Sequence, residues 1–258
     1  MKTIFFFLLS ILVITSSTAQ IKIKQMPYNH GEVELEGSLY YDPLLKSIRA
    51  GVLLIPDIWG TDEPTRQQAQ KLAELGFIVL IIDMFDQDTI KGSIEELLDN
   101  AENLLENKAL VLERATLGYD LLKAERKVDP AKIGIVGYGF GGTVALELAS
   151  SGVEAKALAV FYAQLNSEQF LQLRNIRASV LILHGSEDPY VANEDIYNFQ
   201  KALTEANLNW QMNIYGAAVR GFVNSELGFE INEGMAYNYN ADLHSWDALR
   251  QYFIFALK

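Results

Sequence analysis

The chain has 258 residues, half of them hydrophobic and 21% charged, with only 6 prolines; it carries the apolar mass for a large folded core and lacks the composition of a disordered polymer. Acidic residues number 33 against 21 basic ones, a net charge of −12 with a pI near 4.7, which excludes a nucleic-acid backbone as the expected partner. Cysteine is absent, and with it disulfides, thiolate metal sites and a thiol nucleophile.

The first segment reads as an export signal. Lys2 precedes an apolar run from Ile4 to Ile14 broken only by Ser10, and Ser17 and Ala19 supply the small residues that signal peptidase needs. The run is too short to span a bilayer comfortably. Residues 1–19 are therefore expected to be a secretory signal. The mature chain would begin at Gln20 and be secreted or periplasmic, with no membrane association after cleavage.

Residues 20–258 read as one α/β domain. The segment around 32–41 alternates apolar and polar residues, as an antiparallel edge strand does. Continuous apolar runs follow at Gly51–Pro56, Phe77–Ile82, Ile133–Val136, Ala157–Phe161 and Ser179–Leu183. Strands apolar on both faces belong to a mostly parallel sheet covered by helices on each side. Helical periodicity occupies about 63–75, 93–124, 142–151, 193–206 and 241–257 between and after them. Pro64 behind Thr61 and Asp62 marks the start of the first helix, and Gly76 its end. With no repeat and no Pro/Ser-rich linker, a doubly wound sheet is the economical architecture.

One glycine-rich turn carries most of the functional information. Ile133-Gly134-Ile135-Val136 runs into Gly137-Tyr138-Gly139-Phe140-Gly141-Gly142 and then a helix. Gly137, Gly139 and Gly142 satisfy the dinucleotide pattern G-x-G-x-x-G, but the next strand ends Val160-Phe161-Tyr162-Ala163-Gln164, without the acidic residue that would take a ribose hydroxyl. A dinucleotide-binding enzyme is thus a remote alternative, and no cofactor is expected. Read as G-x-Nuc-x-G, the turn is a nucleophile elbow spanning Gly137 to Gly141, with position 139 at its apex.

Further blocks flank that elbow in order. They are Ile55-Pro56-Asp57-Ile58-Trp59-Gly60, Ile82-Asp83-Met84-Phe85, His184-Gly185-Ser186-Glu187-Asp188-Pro189, Tyr215 to Phe222, and a closing helix with Ser245-Trp246. Together they resemble the dienelactone hydrolase family of the α/β-hydrolase superfamily over nearly the whole mature chain. The resemblance implies an α/β-hydrolase fold and hydrolysis of carboxylic esters or lactones. It makes the backbone amides of Ile58 and Phe140 the oxyanion-hole donors, and Asp188 the retained acid of a catalytic triad.

The same resemblance exposes a departure. The family carries a cysteine or serine at the elbow apex, where this chain has Gly139, and a histidine before Gly-Phe, where it has Arg220. Glycine has nothing to attack a carbonyl with, and a guanidinium stays protonated and cannot accept the nucleophile's proton. Relatives also carry a substrate-holding arginine shortly after the position of Phe85, where this chain continues Asp86-Gln87-Asp88.

The expectation is a catalytically impaired member that binds a small carboxylate or ester-like ligand through Arg220 and the two amides, in space enlarged by Gly139. Asp57, Trp59, Tyr138 and Phe85 would line that space. Arg220 is expected either to grip Asp188 bidentately or to face the vacated apex. The alternative is an active esterase with a rerouted nucleophile. Tyr138, Thr143 and Ser186 offer no clear substitute, His184 reads as packing, and His30 and His244 lie away from the motif. No histidine spacing suits a metal. The stretch 93–124 is expected to be a solvated face or lid.

Overall fold

The computed structural model describes residues 20–85, 91–165 and 172–258. The expected signal segment and Asp86-Gln87-Asp88 lie outside the described residues. The chain forms strands β1 (Lys22–His30), β2 (Val33–Tyr41), β3 (Arg49–Ile55), β4 (Ile78–Ile81), β5 (Val128–Tyr138), β6 (Ala157–Phe161), β7 (Ser179–Gly185) and β8 (Trp210–Tyr215). Its α-helices are α1 (Glu63–Glu74), α2 (Ile94–Glu106), α3 (Lys108–Lys123), α4 (Phe140–Ser150), α5 (Asn193–Glu205) and α6 (Tyr239–Leu257).

The strands make one eight-stranded sheet in the order β1-β2-β4-β3-β5-β6-β7-β8. β1 with β2 and β2 with β4 pair antiparallel; every other neighbour pairs parallel. Successive residues of the central strands enter opposite cores, which is why their sequences are apolar throughout. Leu53, Leu80, Ile135 and Val160 pack with α3, α4 and α5, whereas Leu54, Ile81, Val136 and Ala159 pack with α1 and α6. Each fully buried aliphatic side chain contributes about 1.5–3 kcal/mol of transfer free energy, so the two cores supply most of the fold's stabilisation.

Three expectations are corrected here. The segment around 32–41 is a strand but not the edge. β1 pairs with it along its full length through the two-residue Gly31-Glu32 connection, and β1 lies outermost. β1 escapes an apolar-run reading because Lys22, Lys24 and Gln25 leave it largely exposed. β8, also at an edge and only half-buried, escapes for the same reason. The second correction concerns 93–124, which is two helices. Ser93 and Glu96 form a reciprocal capping box that starts α2. Asn107 leaves the helical region (φ −91°, ψ 71°) and its side chain accepts the Leu110 N–H at 3.2 Å, capping α3. The elbow helix also begins earlier than periodicity suggests, at Phe140 directly after the apex.

Candidate functional site

The site forms at the C-terminal ends of the parallel strands, where an open α/β sheet gathers its loops. Asp57 follows β3, Gly139 follows β5, Asp188 follows β7 and Arg220 follows β8. Gly139 keeps the sharp strand-to-helix turn, at φ 49° and ψ −114°. The strand and helix close tightly on one another there. A Cβ at Gly141 would lie 2.2 Å from the Ile55 carbonyl oxygen, so that position admits only glycine.

The apex is not empty. The Asp57 carboxylate turns into it, and its Oδ1 accepts the N–H of Ile58 at 2.9 Å and of Phe140 at 3.0 Å. These are the two amides expected to form an oxyanion hole. A Cβ at Gly139 would fall 2.2 Å from Oδ1 and 2.3 Å from Oδ2 of the same carboxylate. One acidic side chain therefore fills both the place of a nucleophile and the donors that would stabilise its oxyanion. Burial pushes the Asp57 carboxyl up to about 6, against the opposing pull of the two amides and of Arg220. Its Oδ2 is buried without a hydrogen-bond partner.

Arg220 divides its guanidinium. Nε donates to Asp188 Oδ2 at 3.3 Å, in a pair whose side chains are 8% and 0% exposed. This single contact replaces the bidentate fork the sequence suggested. The guanidinium carbon sits 4.5 Å from the centre of the Tyr190 ring, a cation–π arrangement, and Nη2 is buried without a partner. Asp188 is oriented in turn by the Tyr190 backbone N–H, which donates to its Oδ1 at 2.9 Å.

In front of these groups opens a cavity of about 220 Å³ that both Asp57 and Arg220 line. Leu98, Ala101 and Leu105 of α2, spaced at helical intervals, form one wall of it, with Phe140 and Met235 on other sides. Gln164, Tyr190 and Thr143 add polar edges. Thr143 Oγ1 accepts the Gln164 N–H at 3.2 Å. Among the described residues, no group of three or more His, Asp or Glu side chains could hold a metal ion.

The family model for dienelactone hydrolases matches residues 42–256 of this chain. The chain belongs to the dienelactone hydrolase family. Solved family relatives superpose closely. The dienelactone-hydrolase-like promiscuous phosphotriesterase P91 from metagenomic libraries is 28% identical with a TM-score of 0.86, over 92% of this chain and 99% of that one. The protein m3DLH is 30% identical, with the same TM-score and coverage. Among curated sequences, protein usf of Aquifex pyrophilus is 20% identical over 182 residues, 68% of this chain and 78% of that protein.

Within this dienelactone hydrolase frame, the sequence-predicted residues are only partly brought together. Asp57, Ile58, Phe140 and Arg220 meet at the cavity. Trp59 and Tyr138 do not line it; with Asp57 they line a separate cleft of about 20 Å³ beside Asp62 and Tyr162. Tyr138 stacks on Phe161 at 4.5 Å, as a large ring in a strand-end core does. Phe85 packs against Phe140 at 4.7 Å between ring centres and does not line the cavity. The expected enlargement at Gly139 is taken up by Asp57. The amides of Ile58 and Phe140 are correspondingly engaged rather than free.

Other polar groups have structural partners or none. Ser186 Oγ accepts the Ala217 N–H, and Ser245 Oγ donates to the Asp242 carbonyl. His30 contacts Glu113 at 2.8 Å, tying β1 to α3. His184 is fully buried at the end of β7, and neither ring nitrogen has a partner; burial holds its pKa below the ordinary histidine value. The stretch 93–124, expected to be a solvated face or lid, contributes the α2 wall of the cavity. The spacing of Leu98, Ala101 and Leu105 was the signal available for it.

Proposed function

We propose that this member of an ester- and lactone-hydrolysing family does not turn over esters through an acyl-enzyme and instead binds a small carboxylate or ester-like ligand in the cavity before Arg220. One observation carries this reading: the Asp57 carboxylate accepts both apex amides and occupies the space of an absent nucleophile. An acyl-enzyme route needs a nucleophile, a proton acceptor and free donors for a developing oxyanion. Gly139 lacks the first, Arg220 cannot be the second, and Asp57 takes the third. Loss of triad members costs about 10⁴–10⁶ in turnover, with little further cost for simultaneous losses.

The cavity itself supports the binding half. An engineered apolar cavity of about 150 Å³ accepts benzene, so the space here suits a ligand of one ring or a short chain with a polar head. The test is paired. The purified chain is incubated with a fluorophosphonate probe and with 4-nitrophenyl acetate, and its melting is followed with a panel of small carboxylates and esters. No covalent label, no turnover above a heat-inactivated control, and a ligand-dependent rise in melting temperature are expected. A labelled side chain overturns the first half, and a flat melting panel the second. Export is part of the same proposal. N-terminal sequencing of protein recovered outside the cytoplasm should begin at Gln20, and a retained Met1 would overturn it.

A further inference from the structure

Asp57 and Arg220 both line the cavity, and each carries a buried atom without a hydrogen-bond partner, Oδ2 of the first and Nη2 of the second. Both residues are buried, at 7% exposure each. Leaving a buried polar atom unpaired is costly, so a ligand head that satisfies an acceptor and a donor together is selected by this arrangement. Charge balance narrows the class. Among the described residues Arg220 is the one cation lining the cavity, and it is already matched by Asp188; Asp57 and Glu102 line the cavity as acids. An ionised carboxylate ligand entering here would meet Asp57 as a like charge, which disfavours two bare anions side by side.

Building on the binding reading above, we infer that the cavity takes carboxylic acids together with one proton, the ligand and Asp57 forming a two-carboxyl, one-proton pair beside Arg220. The proton sits between Asp57 Oδ2 and one ligand oxygen, and the second ligand oxygen accepts from Arg220 Nη2. Asp57 Oδ1 stays on the Ile58 and Phe140 amides. No bond other than hydrogen bonds forms or breaks. The proton is either already on Asp57 at low pH or taken from solvent as the ligand enters.

Several charged or titratable groups surround Asp57. These are Arg220 and Asp188 on the loops after β8 and β7, Asp62 at the start of α1, Tyr138 ending β5, Tyr162 after β6, Tyr190 and Glu102 lining the cavity, and His184, buried in β7 next to the Arg220–Asp188 pair. Arg220 stays cationic at every relevant pH. Burial raises Tyr138, Tyr162 and Tyr190 and lowers His184, so these stay neutral in mildly alkaline solution. Asp57, pushed up to about 6, is the group placed to take the proton.

The experiment is calorimetric titration of the full mature chain with benzoate and with benzamide between pH 6.5 and 8.5. Benzoate should weaken about tenfold per pH unit, with close to one proton taken up per ligand at the upper end, read from heats in buffers of different ionisation enthalpy. Benzamide donates its own N–H to ionised Asp57 and should bind without that decline. Asp57→Asn keeps an oxygen for the two amides and should bind benzoate without pH dependence or proton uptake. Benzoate binding that is flat with pH, or a slope unchanged in Asp57→Asn, overturns the proton-coupled pair while leaving the ligand site standing. Failure of both probes to bind at any pH overturns the ligand site itself.

Discussion

Asp57 stands where a side chain on Gly139 would begin. The two cannot coexist as they are placed, because a Cβ at 139 would fall 2.2 Å from Oδ1. The glycine and the inward carboxylate are one structural solution, and changing either should reveal the other.

Gly139→Ser should lower stability by about 1–3 kcal/mol, from the left-handed backbone at φ 49° and from displacement of the carboxylate. In an Asp57→Ala background the displacement component vanishes, so the double variant should be more stable than the two single losses added together, by about 1 kcal/mol or more. Urea denaturation of the four proteins measures this coupling, and strict additivity would contradict it.

Restoring chemistry should follow the same geometry. Gly139→Ser with Arg220→His supplies a nucleophile and a base, but the Asp57 carboxylate, displaced by the new Cβ, stays beside the apex and competes for the Ile58 and Phe140 amides. Adding Asp57→Ala frees those donors, each worth about 10²–10³ in turnover where an oxyanion develops. Hydrolysis of 4-nitrophenyl acetate by the triple variant should exceed that of the double variant. The reverse order would place the donors elsewhere.

Asp57 should also mark the pH dependence of folding. Its carboxyl rises from 3.8 to about 6 because burial disfavours the charged form. Its contribution is therefore fully present below pH 3.8 and is lost as pH rises through about 6, a swing of about 3 kcal/mol at the 1.36 kcal/mol carried by each pH unit. Asp57→Asn should match the parent near pH 4 and exceed its stability at pH 7.5. Equal stability at both values would show that the buried charge costs nothing.

His184 should act in the opposite direction. Burial holds it neutral, so its contribution is present above the ordinary histidine pKa and fades as pH falls. Both ring nitrogens lack partners. Exchange for an apolar residue of similar size, His184→Met, should be neutral or stabilising at pH 5, as measured by thermal melting. A loss of more than 2 kcal/mol would reveal an undetected hydrogen bond.

The Arg220–Asp188 pair is nearly buried, with one 3.3 Å contact. Arg220→Ala should cost about 3–5 kcal/mol, because Asp188 is left charged in the interior, whereas Arg220→Met with Asp188→Leu should recover most of it. Chemical denaturation distinguishes the two outcomes.

The central strands were legible because both faces of a parallel sheet are apolar, and β3 to β7 announce themselves as runs. β1 and β8 were not, since an edge strand exposes one face and one row of backbone groups. The elbow was legible from Gly137, Gly139 and Gly141, and the acid after β3 from the Pro56-Asp57-Ile58 block. The direction of the Asp57 side chain was not. It depends on the volume released by Gly139, eighty-two positions later in the chain and adjacent only after folding. The identity of the cavity wall was likewise hidden, because Asn107 divides a continuous helical pattern into α2 and α3.

The bend at residue 139 also bears on whether its apex could carry a reactive side chain. In an ordinary side-chain-bearing residue, such a backbone conformation holds tension, and tension at a reactive centre is commonly traded against durability. Glycine adopts it freely. Any single replacement of Gly139 therefore weakens the turn before it can make it reactive.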